Sequence, residues 1–192
     1  MKYFVLLLTS MALLAADKKP APVQATNGDI DLTATVMLDQ QDIRQALGAD
    51  LGKGYIVVRL KASPKTGKPV WIGPEDFTLL SHKNGDRCQA LAPGQIAGGG
   101  GALVVKAAAE QPGGDGTATN GPVWGGVAAA KGKNTAGNRA LLEQLRQKIL
   151  PGKQTQAPLE GLLYFEIDGK LKPKDLTLLY HGTAGRVALD FK

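Results

Sequence analysis

Two histidines, one cysteine and three serines bound the nucleophilic and metal chemistry open to this chain of 192 residues. A metal centre needs convergent imidazole, thiolate or carboxylate ligands. His82 and His181 lie far apart in the sequence, each near the end of an expected strand, and Cys88 is expected on the opposite hairpin face from His82. Both histidines therefore read as surface residues. A hydrolytic nucleophile needs a base beside it. No G-x-S-x-G occurs, Ser10 falls in an apolar leader, and of the remaining pair Ser63 and Ser81, Ser81 is assigned to an inner hairpin face. Asp29 with Asp31, and Glu166 with Asp168, form carboxylate pairs of the kind that do acid–base work or hold calcium. Neither has neighbouring ligands, and outward positions on half-buried strands account for both. Tyr164, Tyr180, His181 and Asp190 are polar candidates without an assignable partner.

Glycine clusters invite a search for phosphate loops. Gly126–Lys133 (GVAAAKGK) approaches a Walker A pattern, but its glycines are one residue too far apart and Asn134 stands where Ser or Thr belongs. Neither Gly98–Gly101 nor Gly113–Gly116 completes G-x-G-x-x-G. The expectation is a protein with no catalytic residue, no metal and no cofactor: not an enzyme.

The elements that would position these side chains are mostly strands. In Glu160–Asp168, Leu163, Phe165 and Ile167 alternate with Leu162, Tyr164 and Glu166; in Asp175–His181, Leu176, Leu178 and Tyr180 alternate with Thr177, Leu179 and His181. Arg186–Lys192 sets Val187, Leu189 and Phe191 against a mainly polar row. The short links between these three runs predict antiparallel neighbours. Upstream, Asp29–Met37 and Lys53–Ala62 read as strands, with a short helix between them capped by Asp39 and ended by Gly48. Asn84-Gly85 predicts a two-residue turn between Asp76–Ser81 and the strand through Cys88, pairing Ser81 with Cys88 and making the thiol a small buried hydrophobe. Asn138–Leu150 carries Leu141, Leu142, Leu145 and Ile149 on one helical stripe, with Asn138 as its cap and Pro151-Gly152 as its stop.

Residues 1–16 combine Lys2 with a short apolar run and Ala15-Ala16, which predicts a signal peptide and export, although leucine stands three residues before either cut. The leader is too short to span a membrane. The net charge of +6 includes Lys2, and the lysines fall at turns rather than along an aromatic-interleaved stripe, so no nucleic acid is expected. Cys88 has no partner for an intramolecular disulfide. Residues 17–28 read as a flexible linker and 29–192 as one domain. It is interrupted at about 94–137 by an insertion holding thirteen of the twenty-five glycines.

About seven short strands with antiparallel-length turns predict an all-β antiparallel sandwich, with a short helix after the first strand and an amphipathic helix before the last three. The segments YIVVRLKASPKTGKPVWIGPEDFTLL, KILPGK and EGLLYFEIDGKLKPKDLTLLYHGTAGRVALDF resemble a group of uncharacterised secreted bacterial proteins with an immunoglobulin-like, telokin-like sandwich domain. The resemblance covers roughly residues 30–95 and 138–192, and implies fold and export without transferring any catalytic residue. The cysteine pair that flanks the tryptophan of antibody-type domains is absent.

Function then reduces to two expectations. The first is a secreted or periplasmic, non-enzymatic interaction or structural domain with an unknown protein or envelope partner. The second is an envelope factor that contacts lipid through residues 102–130 and helix 138–150. Val123, Trp124, Arg139 and Arg146 are the candidate partner or membrane contacts.

Overall fold

A computed structural model describes residues 21–98, 104–105 and 136–192. The leader, most of the glycine-rich insertion, and with it Val123 and Trp124, lie outside the described residues. The described chain is mainly β, in antiparallel sheets. One sheet runs in the order β1 (Val23–Thr26), β2 (Ile30–Met37), β3 (Tyr55–Pro64), β9 (Leu159–Glu166). The other runs β11 (Gly185–Asp190), β10 (Leu176–Gly182), β5 (Phe77–Ser81), β6 (Arg87–Gln89), β7 (Val104–Val105). A ribbon of β4 (Val70–Ile72) and β8 (Lys153–Thr155) stands apart. The seven expected strands are β2, β3, β5, β6, β9, β10 and β11; the four missed are two to four residues long, too short to show a period of two.

Alternation on each strand sends one row of side chains into a core shared by both sheets. Ile30, Leu32, Val58, Leu60, Leu163 and Phe165 come from the first sheet, and Phe77, Leu79, Cys88, Leu178, Tyr180 and Leu189 from the second. Phe77 and Tyr180 are direct cross-strand partners with ring centroids 5.1 Å apart. Asp31, Arg59, Lys61 and Glu160 stay exposed on the first sheet's other face, but the part of that face around Met37 and Tyr164 is also buried. There α1 (Gln40–Leu47), α2 (Pro93–Ala97) and α3 (Ala136–Lys148) set Ile43, Leu47, Ile96 and Leu145 against Met37, Val57, Leu162 and Tyr164. This two-sided burial explains why β9 reads as an unbroken apolar run, Leu162-Leu163-Tyr164-Phe165, rather than as apolar–polar alternation.

Several expectations change. The closing three strands are not consecutive sheet neighbours: β9 lies in the first sheet, and the chain crosses over to start β10 in the second. A short link permits a hairpin but does not compel one, and Leu162 and Tyr164 are needed under the helices. The β10–β11 hairpin forms as expected. In the β5–β6 hairpin, Leu79 pairs with Cys88 and Ser81 N–H donates to the Asp86 carbonyl, so the loop is four residues, His82 to Gly85, with Gly85 at φ +73°. The register is two residues from the expected one, and an even shift keeps every side chain on its face. Cys88 and Ser81 are accordingly buried.

Residues 23–26 are not linker but strand, because Val23 and Ala25 pack against the core. Helix α1 keeps its predicted caps: the Asp39 carboxylate accepts from Gln41 N–H at 2.9 Å, and Gly48 takes φ +83°. Helix α3 starts at Ala136, two residues before the expected cap Asn138, and ends at Lys148. Beyond it, Leu150 N–H donates to the Leu162 carbonyl at 2.9 Å, so the chain crosses the β9 edge before Pro151 can act as a stop.

Candidate functional site

The three helices cover the Met37, Val57, Leu162 and Tyr164 part of the first sheet's outer face. Outward side chains stand exposed on the rest of it, at Asp31, Arg59, Lys61 and Glu160, and across the outer face of the second sheet. The register places Arg186 beside His181, Ala188 beside Leu179 beside Thr78, and Asp190 beside Thr177 beside Leu80 beside Arg87. Arg87, Leu179, His181, Arg186 and Ala188 line a shallow depression of about 540 Å³, in which basic groups surround a small apolar floor. Leu179 is half-buried and Arg87, His181, Arg186 and Ala188 are exposed.

One end of this face holds a polar relay. The His82 Nε2 lies 2.7 Å from Thr177 Oγ1, and the Thr177 hydroxyl donates to Asp190 Oδ1 at 2.5 Å. With that proton committed to the carboxylate, His82 must donate through Nε2–H. A nucleophile–base pair requires the opposite polarity, a hydroxyl giving its proton to an imidazole that a carboxylate orients. Thr177 is also buried, at 4% exposure, so the relay ties the β5–β6 loop, β10 and β11 together and offers no attacking oxygen.

The other end runs into a corner beside β4. Trp71, 41% exposed, donates its indole N–H to Glu75 Oε1 at 3.0 Å, and the Thr183 hydroxyl donates to the Trp71 carbonyl at 3.1 Å. Asp76 accepts the Gly73 N–H at 2.9 Å. Burial pushes its carboxyl above the ordinary range, the Gly73 N–H opposes this, the Glu75 charge adds to it, and His181 pulls it back. His181 thus links the basic depression to an acidic, aromatic corner.

The remaining sequence candidates have structural roles. Tyr164 is buried; its hydroxyl donates to the Leu145 carbonyl at 3.3 Å, and burial raises its pKa far above the phenol range. The Tyr180 hydroxyl accepts the Ala184 N–H at 3.4 Å, and burial raises its pKa too. The Cys88 thiol is pushed up by burial, the opposite of an activated nucleophile. Ser81 donates to Asn84 Oδ1 in the loop that follows it. Asp31 pairs with Lys65 at 3.3 Å and accepts from Thr26, whose hydrogen bond is the main reason its pKa is lowered. His82 and His181 do not meet: they flank positions four residues apart on β10, about 13 Å at 3.3 Å per residue.

Among the described residues no group of three or more His, Cys, Asp or Glu side chains converges as metal ligands. No described helix is long and apolar enough to cross a membrane. Arg139 and Arg146 are exposed on α3, where Arg146 pairs with Glu143 at 3.2 Å. The helix's apolar stripe is spent on the second core, Leu145 fully and Leu141, Leu142 and Ile149 partly, so a lipid contact through α3 would have to use its polar face.

Sequence reasoning missed Arg87 and Arg186 as neighbours on one face, and Trp71 and Glu75 as a bonded pair in the corner beside it. The signal for Trp71 was present, a tryptophan in a three-residue run just before the breaker Gly73-Pro74, but it needed the ribbon to give it meaning. No protein-family model matches this chain, and neither a curated protein nor a solved structure matches it.

Proposed function

We propose that this is an exported, non-enzymatic interaction domain whose two facing sheets form an immunoglobulin-like sandwich, and that it binds a protein partner across the outer face of its second sheet. The observation that carries the reading is the asymmetry of the two outer faces. One is covered in part by three helices and on the rest carries the Lys61–Glu160 and Lys65–Asp31 ion pairs. The other presents Arg87, His181 and Arg186 around Leu179 and Ala188, with neither arginine ion-paired to a described residue. Such a surface suits a partner that offers carboxylates around an apolar side chain, since charge complementarity sets encounter and register more than raw affinity. The non-enzymatic part rests on the reversed polarity of the His82–Thr177–Asp190 relay and on the raised Cys88 pKa.

The test compares envelope and secreted-fraction proteins captured by the wild type and by the Arg87→Glu/Arg186→Glu double variant. A specific partner that is retained at low salt, weakened by salt and lost in the double variant supports the surface. An identical captured set sinks it. Turnover in a broad hydrolase screen that disappears in Thr177→Val would overturn the non-enzymatic reading, and recovery of the intact chain in the cytoplasm would overturn export.

A further inference from the structure

At the end of the molecule away from Trp71, the loop leading into β3 and the link from β9 to β10 enclose a second concavity. Its volume is about 320 Å³, near the lower end of small-molecule pockets. Leu38, Ile56, Ile167 and Leu171 make its floor, all four packed in or against the shared core. Its rim is polar: Gln40, Lys53, Tyr55 and Lys170. Gly54 at φ +90° and Gly169 at φ +113° form the walls, a backbone conformation that glycine adopts at little steric cost, and neither puts a side chain into the space.

Two features of this pocket are unspent. Neither Lys53 nor Lys170 forms an ion pair with a described residue, and both are exposed. Gln40 gives its amide N–H to the Gly52 carbonyl at 2.6 Å and leaves Oε1 buried without a hydrogen bond, the one such side-chain atom among the described residues. An unmade bond at a buried acceptor costs about 1–3 kcal/mol, so it asks for an explanation. Two carboxylates stand beside the rim: Asp168 Oδ1 lies 3.7 Å from where a Gly54 Cβ would be, and Glu166 is the cross-strand partner of Tyr55. Cations, acceptors and an apolar floor in so small a space are complementary to one kind of molecule.

We infer that this pocket binds a small organic acid of the α-hydroxy or α-amino class. Its carboxylate lies between Lys53 and Lys170, its hydroxyl or ammonium donates to Asp168 and to Gln40 Oε1, which a turn of the Gln40 side chain brings out of its buried position, and its short apolar side chain rests on Ile56, Ile167 and Leu171. This site is distinct from the partner surface of the second sheet, and neither depends on the other.

Backbone amide NMR of the mature chain tests it with four probes of nearly equal size: leucine, 2-hydroxy-4-methylpentanoate, leucinamide without the carboxylate, and 4-methylpentanoate without the α-donor. The first two should shift the amides of Gly54, Tyr55, Gly169 and Lys170 saturably. Leucinamide should bind at least about tenfold more weakly, the loss expected for a charge-assisted hydrogen bond, and 4-methylpentanoate severalfold more weakly. Lys53→Gln/Lys170→Gln should abolish the preference for leucine over leucinamide. Gln40→Met should narrow the gap between the hydroxy acid and 4-methylpentanoate, and Gln40→Met/Asp168→Asn should narrow it further, while the amide spectrum elsewhere reports an intact fold. Equal binding of leucinamide and leucine, scattered shifts that the lysine double variant leaves unchanged, or no localised shift from any probe up to about 10 mM would each overturn the assignment.

Discussion

Gly161→Ala tests whether the crossing of β9 by the end of α3 is a fixed part of the fold. Gly161 is the position where the Ile149–Leu150 segment lies directly on the strand. A Cβ there would sit 2.5 Å from Leu150 N and 3.0 Å from the Ile149 carbonyl carbon, and closer still to Leu150 Cα. Ordinary contact begins near 3.4 Å, so the Leu150 backbone must withdraw by roughly 1 Å. That shift strains the Leu150 N–H···O=C Leu162 bond of 2.9 Å and lifts the fully buried Leu150 side chain. Overpacking costs about 1–3 kcal/mol and a weakened hydrogen bond about 0.5–1.5 kcal/mol, while the stiffer unfolded chain returns up to about 1 kcal/mol. A net destabilisation of about 1–4 kcal/mol follows. In urea the midpoint should fall with the slope unchanged, and the melting temperature should drop by about 2–4 °C for each kcal/mol. Gly28→Ala is the control, because nothing lies within 4 Å of its Cβ. If the Gly161→Ala midpoint coincides with that of Gly28→Ala, the close crossing is not a constraint on the fold and the reasoning fails.

Tyr164→Phe should cost no more than about 1 kcal/mol in urea unfolding despite complete burial, because the Leu145 carbonyl it deserts still accepts the Ile149 N–H at 2.9 Å. Thr177→Val should cost within about 1 kcal/mol, since His82 and Asp190 both reach solvent; the histidine-ring NMR signature of Nε2 protonation at His82, expected in the wild type, should weaken in the variant. Asp76→Asn should gain on the wild type as pH rises. Burial raises the folded Asp76 pKa above the ordinary 3.8, so the wild type has its full contribution below that value and loses it as pH climbs through the folded pKa. Unfolding free energies of both chains from acid to neutral pH check this, and a gap that stays constant would refute it.

Strands long enough to alternate were legible, and so was the face each residue takes. Phe77, Leu79, Ser81 and Cys88 are buried as the pattern requires even though the hairpin register differs by two, because face is fixed by parity and register by the loop. The loop could not be read from Asn84-Gly85 alone. Its four residues are held by long-range bonds, Asn84 Nδ2 to the Asp168 carbonyl at 3.2 Å and Lys83 Nζ to the Lys170 carbonyl at 2.8 Å, and local turn preference carries no information about either. The helix layer was half visible. The Leu141–Leu145–Ile149 stripe announces that α3 docks somewhere, but which surface receives it depends on Leu162 and Tyr164, residues that alternation alone would place toward solvent.

That same burial decides where function can reside. Where the first sheet has helices on one face and the second sheet on the other, it has no outward strand position left for recognition: Val57, Leu162 and Tyr164 pack with the helices, and Val58 and Leu163 face the second sheet. Free surface therefore collects on the outer face of the second sheet, on the uncovered part of the first around Arg59 and Lys61, and at the two ends of the strands. The candidate surfaces are found there, with Arg87, His181 and Arg186 on the face, Trp71 and Glu75 at one end, Gln40, Lys53 and Lys170 at the other. Each is assembled from segments distant in sequence, and none carries a spacing motif. The absence of a local motif is the expected outcome of a fold whose exposed chemistry is created by sheet register and by loops meeting at a pole, rather than by neighbours along one helix or one turn.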